Sequence, residues 1–399
     1  MSETTETAPA PAADTDTKQE AVPAAAAPPA KEMRSIVLTG FGGAKMMKVQ
    51  QKPEATAADG EVLIRVKACG VNFPDLMLRQ GVIEHPPKTP LIMGFECAGV
   101  IEALGANVSG FSVGDRVVAF SDYKAWSELV AVPGKYVYKI PDGLGYQDAA
   151  ALLVSFVVAY VIVFDLAGIR EGQSILAHSL GGAVGHAIVQ LASTIPNVTI
   201  FGTASAHKHE AIKSRGTVAH LFDHGVDYTQ AIRKESSDGV DVVLDCLCGE
   251  DTNRGIAVLK PMGKYILYGT SNIVTGETKS FFSFAKSWWQ VDKINPLKLY
   301  DDNKLIGGFQ LRRLLFRQGQ HEYVRQVVSK VLELYSQDKI KPTIDSVWAF
   351  EDVGEAMQKL CDRKNIGKII LDPTAEPRPK SPEKKIPEAT GNTETTKEE

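Results

Sequence analysis

A predicted strand that runs into a cluster of glycines and then into an apolar helix is the strongest constraint on this chain. The segment HSLGGAVGHAIVQLA, residues 178–192, follows the apolar stretch SILA and carries its glycines near its start. Such a unit can hold a pyrophosphate, because glycines let the backbone approach it and the helix N-terminus offers N–H groups and a positive dipole end. The alternative is a tight turn into a buried helix that binds nothing. The residues expected to contact a dinucleotide here are Gly181, Gly182, Val184 and Gly185.

The next predicted strand indicates which nucleotide the turn would hold. In folds that prefer NAD, an acidic residue at the end of this strand bonds the ribose 2′-hydroxyl. Here the strand ends in Thr203 and Ser205, with Lys208 just beyond, and no carboxylate occurs before position 210. Hydroxyls and a lysine suit a 2′-phosphate, which predicts NADPH rather than NADH. The alternative for Lys208 is an ordinary solvated lysine at a helix start.

Composition excludes several classes of function. The formal net charge of −4 gives no electrostatic basis for binding nucleic acid. The five cysteines are scattered rather than paired, which favours a reduced, cytosolic interior. The longest apolar run, residues 149–164, is shorter than the roughly 20 residues of a membrane-spanning helix. We expect this run to be a buried helix and any membrane contact to be peripheral.

The apolar pattern divides the chain into an α/β architecture with two tails. Residues 1–31 and 373–399 almost lack large apolar side chains, so we expect them to be disordered. Short β-like runs broken by Gly and Pro predict a mostly β domain at 32–155. Alternating strands and helices predict a doubly wound parallel sheet at 156–328, and 329–372 is expected to return to the first domain.

Several short motifs occur in an order that resembles one superfamily across about residues 32–372. They are ACGVNFPDLMLRQG, PLIMGFECAGVIEALG, VGDRV, SLGGAVG, VDVVLDCLCG, LKPMGKYILYG and GKIIL. Together they resemble the medium-chain dehydrogenase/reductase superfamily, above all its zinc-independent quinone oxidoreductase branch and a vesicle-associated group within that branch. The resemblance implies a GroES-like catalytic domain and a Rossmann domain, with the nicotinamide in the cleft between them, and a homodimer.

The residues that hold catalytic zinc in the superfamily's alcohol dehydrogenases are replaced here. The corresponding positions read Asn72 and Phe95, whereas a zinc site needs three ligands from Cys, His or acidic residues. Cys69 and Cys97 lie nearby in the sequence and are expected to be core thiols. We therefore predict no metal site and a reaction on quinones or enones, whose conjugation delocalises the charge left by hydride addition.

The resemblance implies that four residues lie in or near the cleft. Asn72 would lie beside the nicotinamide, Asp75 and Arg79 would shape the cleft nearby, and Tyr160 would lie in the helix that links the domains. The alternatives are a turn-capping role for Asn72 and a structural ion pair in the helix that follows it. Val158 occupies a position where many quinone reductases carry a hydroxyl. Lost hydroxyls of this kind point to a hydrophobic substrate, weak activity or none.

Three residues just past predicted strand ends are further cofactor candidates, because ligands of doubly wound sheets bind there. They are Gly249, Gly269 and Ser271, with ordinary turn residues as the alternative. Within the phosphate turn, Leu180 and Ala183 depart from the family's pattern of small residues. They are expected to make the turn bulkier.

Two functions remain open at this point. The favoured one is an NADPH-dependent, zinc-independent oxidoreductase of quinone reductase type, which acts on quinones or other activated carbonyls. The other is a nucleotide-binding interaction protein, catalytically weak or inactive, at vesicle or organelle surfaces. The aromatic stretch SFFSFAKSWWQ, residues 280–290, could serve that second role as a lipid contact, although a buried lid or dimer contact is favoured.

Overall fold

The computed structural model describes residues 31–214, 218–224, 226–274, 276–278, 291 and 293–379. The predicted tails fall largely outside these ranges, and the aromatic stretch 280–290 lies outside them entirely. Residues 373–379 are described and contact the fold: the Arg378 guanidinium lies 3.3 Å from the centre of the Trp348 ring, and Arg378 N donates to Asp352 at 2.9 Å.

The first and last parts of the described chain share one β-rich region. Its strands are β1 (Glu32–Leu38), β2 (Met47–Pro53), β3 (Glu61–Val71), β4 (Leu91–Ile92), β5 (Glu96–Leu104), β6 (Arg116–Phe120), β7 (Leu129–Pro133), β8 (Val137–Lys139), β15 (Ile344–Trp348) and β16 (Lys368–Leu371). One sheet has the order β2-β1-β4, and a larger one has the order β15-β16-β3-β5-β6-β8, with β7 also on β3. Strand β3 is buried along most of its length because it pairs with β16, β5 and β7.

Two short helices of this region lie close to the candidate site. They are α1 (Phe73–Gln80) and α9 (Val353–Cys361). Helix α1 begins after Asn72, carries a proline in its first turn and ends at Gly81, whose φ of 68° suits a glycine.

The middle of the chain forms a doubly wound parallel sheet. Its strands are β9 (Ser174–Ala177), β10 (Thr199–Thr203), β11 (His220–Phe222), β12 (Val240–Asp245), β13 (Leu259–Leu267) and β14 (Leu305–Gly308). They have the order β11-β10-β9-β12-β13-β14, and every pairing is parallel. The order reverses at β9, so the turn after β9 lies at the switch point where such sheets bind ligands. The described helices are α3 (Ala183–Ala192), α4 (His209–Lys213), α5 (Tyr228–Glu235), α6 (Glu250–Ala257), α7 (Pro296–Asp302) and α8 (His321–Ser336).

One long apolar helix joins the two regions. Helix α2 (Tyr146–Tyr160) continues into a π-helical turn, Val161–Leu166, so the helical segment is longer than the predicted apolar run at 149–164. The whole segment of 21 residues is long and apolar enough to cross a membrane, but 72% of its most apolar window is buried inside the fold. It packs between the large β sheet, α3 and α8, which is the position of a core helix.

The final strands return to the first region. Strand β16 pairs antiparallel with β3, with Ile369 opposite Val71 and Leu371 opposite Cys69. The predicted α/β class with a doubly wound parallel sheet is confirmed. The domain boundaries at 155, 328 and 372 stay predictions.

Candidate functional site

The glycine turn has the shape of a phosphate-binding turn. Helix α3 begins directly after Gly182, and Ser179 enters the turn with a left-handed φ of 58°. Helix and turn approach closely at Gly185, where a Cβ would overlap Ser179 O and Leu180 Cα. The first N–H groups of a helix have no intrahelical acceptors, so those of α3 are offered at the end of β9.

Leu180 does not narrow this turn. Its side chain is fully buried, and it fills the space above Gly202 in β10, where a Cβ would overlap Leu180 Cδ1. Its N–H donates to Thr203 O at 3.0 Å. The expectation of a bulkier turn is therefore wrong for Leu180, because the missing side chain of Gly202 lets the leucine point into the core.

Thr203 is bonded within the protein. Its Oγ1 lies 3.1 Å from His178 Nδ1 and accepts from Ser179 N at 3.3 Å. Only 2% of Thr203 is exposed. In this arrangement its hydroxyl stabilises the start of the glycine turn by accepting a hydrogen bond from Ser179 N.

A carboxylate lies beside the end of β10, although the sequence of that strand has none. Ser205 precedes the short helical turn Ala206–Lys208, and Asp223 Oδ1 accepts from Ala206 N at 3.0 Å. Asp223 follows β11, the strand next to β10 in the sheet. Sequence reasoning searched only the end of β10 and so missed it.

Lys208 is buried against the glycine turn. Its ammonium donates to Asn365 O at 2.7 Å, and Gly367 N donates to Gly181 O at 2.9 Å. Burial lowers the pKa of Lys208 to about 8. The alternative of a solvated lysine is wrong, since only 6% of Lys208 is exposed, while its contact with a 2′-phosphate stays a prediction. The segment before β16 was not expected there.

Two further basic residues, Arg363 and His224, lie near Lys208. Burial lowers the pKa of both Lys208 and His224, and the positive charge of Arg363 lowers both further. Burial first, and then Arg363, lowers the pKa of His224 to about 4. Arg363 also donates to Ser271 O at 3.2 Å, so it links the loop after α9 to the loop after β13. Neither residue was singled out from the sequence.

The three candidates at strand ends lie at the same edge of the parallel sheet. Gly249 has a φ of 76° and precedes α6, and a Cβ on Gly269 would lie 3.1 Å from Cys246 O. Ser271 N donates to that same oxygen at 2.8 Å. The hydroxyl of Ser271 is buried and has no hydrogen-bond partner among the described residues. A buried hydroxyl without a partner is a group that a ligand could satisfy.

Asn72 belongs to a buried polar network that the sequence did not reveal. Lys368 Nζ donates to Asn72 Oδ1 and to Glu96 Oε1, both at 2.6 Å, and Asn72 Nδ2 donates to Glu96 Oε1 at 2.8 Å. Glu96 and Lys368 are 0% and 2% exposed, whereas Asn72 is 9% exposed. We call these three residues the Asn72 network. A possible signal was the charge of Glu96 and of Lys368 beside otherwise apolar strand residues.

Neighbouring elements hold the Asn72 network in place. A Cβ on Gly70 would overlap Glu96 Oε1, so only glycine leaves room for the ion pair there. Helix α2 contributes Val154 N, which donates to Glu96 Oε2 at 2.8 Å, and Ser155 Oγ, which lies 3.4 Å from Lys368 Nζ. The network therefore joins β3, β5 and β16 to the helix that links the two regions.

Asp75 and Arg79 do not pair with each other. Asp75 Oδ2 accepts from Asn72 N at 2.8 Å, and burial raises the pKa of Asp75 well above its usual range. Arg79 is fully buried and donates to Glu277 O at 2.8 Å, in the loop after β13. Its Nε and Nη1 have no hydrogen-bond partner among the described residues. The suggested ion pair in this helix is thus not formed.

Tyr160 lies apart from the Asn72 network. Its ring contacts Phe164 at a centroid distance of 4.7 Å. Burial is the main cause that raises the pKa of its hydroxyl, and the negative charge of Asp165 raises it further. Lys330 and Glu333 of α8 have smaller and opposite effects on this pKa. The network instead meets α2 at Val154 and Ser155.

The donor set beside Asn72 does not fit zinc. Asn72 Oδ1 is taken by the Lys368 ammonium, and Phe95, which has no donor atom, packs on Tyr123 at a centroid distance of 5.4 Å. Cys69 donates to Ala125 O at 3.0 Å, and burial raises the pKa of Cys97 to about 12. Within the described ranges, no three His, Cys, Asp or Glu side chains are grouped so that they could hold a metal ion.

Comparisons with known proteins agree with this fold. Residues 58–142 match the alcohol dehydrogenase GroES-like domain, and residues 221–371 match the zinc-binding dehydrogenase family. These matches confirm the predicted fold class, a GroES-like domain with a Rossmann domain, and define a medium-chain dehydrogenase/reductase. The human synaptic vesicle membrane protein VAT-1 homolog-like is 59% identical over 350 residues, which cover 88% of this chain and 83% of the relative. The chain therefore belongs to the VAT-1 homologue family of the medium-chain dehydrogenase/reductase superfamily.

Solved structures give the same result. The crystal structure of the human VAT-1 homolog-like protein is 52% identical, with a TM-score of 0.77, and covers 87% of this chain and 99% of its own. The CurK enoyl reductase is 27% identical, with a TM-score of 0.74 over 86% of this chain and 99% of its own. A mycobacterial protein complexed with NADPH is 23% identical, with a TM-score of 0.75 over 86% of this chain and all of its own, and shows the fold alone.

The residues at the switch point fit a nicotinamide dinucleotide. The turn offers helix N–H groups, Lys208 packs on its Gly181, and Ser271 Oγ lacks a partner among the described residues. The structure brings the turn, Lys208 and the loop before β16 together, and it links Ser271 to them through Arg363.

Proposed function

We propose that the chain is an NADPH-dependent, zinc-independent oxidoreductase that reduces quinones or enones. The observation that carries this proposal is the glycine turn at the switch point with the positively charged Lys208 packed on it and Arg363 near Lys208, since both charges suit the phosphates of NADPH. Bound NADPH supplies the hydride. The likeness to an enoyl reductase supports an oxidoreductase of activated double bonds.

Asn72 is the group of this chain that would meet the substrate. It is the most exposed member of the Asn72 network, and one of its two Nδ2 hydrogens is used by Glu96. The second hydrogen is left to donate to a substrate oxygen that gains negative charge during hydride addition. Because Lys368 holds the amide oxygen, this donor has a fixed direction and needs little reorganisation.

Turnover of NADPH tests the proposal. Oxidation of NADPH is followed by its absorbance with a panel of quinones and enones, for the wild type and for Asn72→Ala. We expect the wild type to oxidise NADPH, and the variant to lose about 10- to 100-fold in kcat with NADPH affinity unchanged. An inactive wild type across the panel would refute catalysis. Equal kcat values would refute the role of Asn72.

We also propose a location and an assembly. The chain would be cytoplasmic, would contact vesicle or organelle membranes peripherally, and would form a homodimer. The names of the relatives, synaptic vesicle membrane proteins, support membrane contact, while the burial of the apolar helix argues against a membrane-spanning helix.

Two experiments test these statements. Flotation with anionic liposomes tests the membrane contact, and sedimentation equilibrium tests the homodimer. A chain that stays at the bottom of the gradient, or sediments as a monomer, contradicts the corresponding statement.

A further inference from the structure

Arg79 is a buried cation that has no hydrogen bond to a carboxylate among the described residues. It is fully buried, and its guanidinium donates from Nη2 to the carbonyl oxygen of Glu277. The carboxylate of Glu277 instead accepts from Ala44 N at 3.2 Å. Nε and Nη1 of Arg79 stay without an acceptor in the described ranges. Because buried charged donors are normally paired, we looked for an acidic group beside this guanidinium.

The thiol of Cys361 lies on the same loop as this guanidinium. Cys361 ends α9, which packs on α1, and its Sγ donates to Gly276 O at 3.3 Å. Arg79 donates to the next carbonyl, Glu277 O, so neighbouring carbonyls receive the two side chains. Burial lowers the pKa of Arg79, and the strongest influence that raises it is Cys361. A thiol is a weak acceptor, so it leaves the free N–H groups of Arg79 unsatisfied.

A neighbouring cation distinguishes Cys361 from Cys248, which is also half-buried. Cys248 N donates to the Asp245 carboxylate at 3.3 Å, and this negative charge raises the pKa of the Cys248 thiol. Burial raises the pKa of the Cys361 thiol as well, but Arg79 is the largest influence that lowers it. Oxidation-sensitive cysteines occur in partly exposed surroundings that carry positive charge. Cys361 has such surroundings and Cys248 does not.

We propose that Cys361 is a modification site for hydroperoxides and that Arg79 holds its oxidised form. The sulfur attacks one peroxide oxygen, so that an S–O bond forms and the O–O bond breaks. The sulfur gives two electrons to the peroxide, whose second oxygen takes the thiol proton and leaves as water or an alcohol. The product is a sulfenic acid. Its oxygen is the acceptor that the free N–H groups of Arg79 lack, and the buried cation pairs with its anion.

Treatment of the full chain with hydrogen peroxide tests the proposal. A dimedone probe traps sulfenic acids, and peptide mass spectrometry measures the labelling rate of each cysteine. In the wild type we expect Cys361 to be labelled at least about tenfold faster than Cys248. Arg79→Gln removes the charge and should slow labelling of Cys361 about tenfold, with Cys248 unchanged. Arg79→Lys is the matched control, because it keeps the charge and should keep most of the labelling. Circular dichroism checks the fold of each variant.

The outcomes separate the site from the role of the cation. Equal labelling of Cys361 and Cys248 in the wild type would overturn the modification site, and this comparison needs no variant to fold. Unchanged labelling of Cys361 in Arg79→Gln would overturn the role of Arg79, as would equal losses in Arg79→Gln and Arg79→Lys. The proposal does not depend on the proposed function, since no nucleotide takes part. A chain that is labelled as expected but does not oxidise NADPH would refute only the proposed function.

Discussion

A lysine ammonium and a glutamate carboxylate are buried together beside Asn72, and each depends on the other. Lys368 and Glu96 are 272 positions apart in the sequence and come from β16 and β5. A buried charge without its partner costs several kcal/mol, whereas a neutral pair of similar shape costs little. The ion pair thus fixes the Asn72 amide, but a substitution of either charged residue alone should destabilise the fold.

Removal of one charge from this pair should destabilise the protein strongly. We expect Lys368→Met to lower the free energy of unfolding by about 3–5 kcal/mol, because Glu96 is left buried and unpaired. The double variant Glu96→Gln/Lys368→Met should lose less than the single variant. Urea denaturation of the four chains of this cycle checks the prediction. A single variant as stable as the wild type would contradict it.

The burial of Lys208 should appear as a pH-dependent stability. Its pKa in the folded chain is lowered to about 8, so the unfolded chain binds more protons between that value and about 10.5. The cost of burying the ammonium is complete below pH 8 and fades as the pH rises towards 10.5. Relative to Lys208→Met, the wild type should therefore gain up to about 3 kcal/mol over this range. Denaturation of both chains at several pH values measures the difference, and a constant difference would contradict the prediction.

At the scale of elements, the strand–turn–helix unit β9–α3 could be predicted from sequence because its signals are local. Glycine spacing and the apolar period of α3 lie within 15 residues of one another, residues 178–192. The direction of Leu180 could not be predicted, since it depends on Gly202 in the next strand. The same holds for Asp223, which reaches the end of β10 only because β11 pairs with that strand.

The fit between Leu180 and Gly202 gives a test at this scale. Gly202→Ala should destabilise the chain by about 1–3 kcal/mol, because its methyl group would overlap the leucine. In the double variant Gly202→Ala/Leu180→Ala the new methyl group fills part of the cavity left by the leucine. The loss in the double variant should then be smaller than the sum of the two single losses. Additive losses in urea denaturation would show that the two side chains do not share this space.

At the scale of the whole molecule, the last part of the chain completes both the first sheet and the candidate site. Strand β16 inserts between β15 and β3, and it brings Lys368 to Asn72 and Gly367 to the glycine turn. The return of the chain was expected from the strand–helix–strand pattern. The contacts that it makes could not be predicted, because no local pattern records which distant residues a returning strand meets.

Truncation tests this dependence. A chain that ends at residue 341 lacks β15 and β16, leaves residues 69–71 of β3 without their partner strand and leaves Glu96 without Lys368. We expect it to lose the cooperative unfolding transition and to be cleaved rapidly in limited proteolysis. A chain that ends at residue 379 is the control and should keep the thermal midpoint of the wild type. A stable fold of the shorter chain would contradict the role given to β16.

The central claim, that the glycine turn holds NADPH, is tested most directly by titration calorimetry. Gly182 has a φ of −84°, and a Cβ on it would lie 3.5 Å from Ser179 O, so a side chain fits there without strain. Gly182→Asp therefore adds a negative charge at the turn, and Gly182→Asn adds the same shape without the charge. The account predicts that the wild type binds NADPH more tightly than NADH, that the aspartate variant binds neither, and that the asparagine variant keeps part of the affinity. A wild type that does not bind NADPH, or an aspartate variant that binds it as well as the wild type, would contradict the claim.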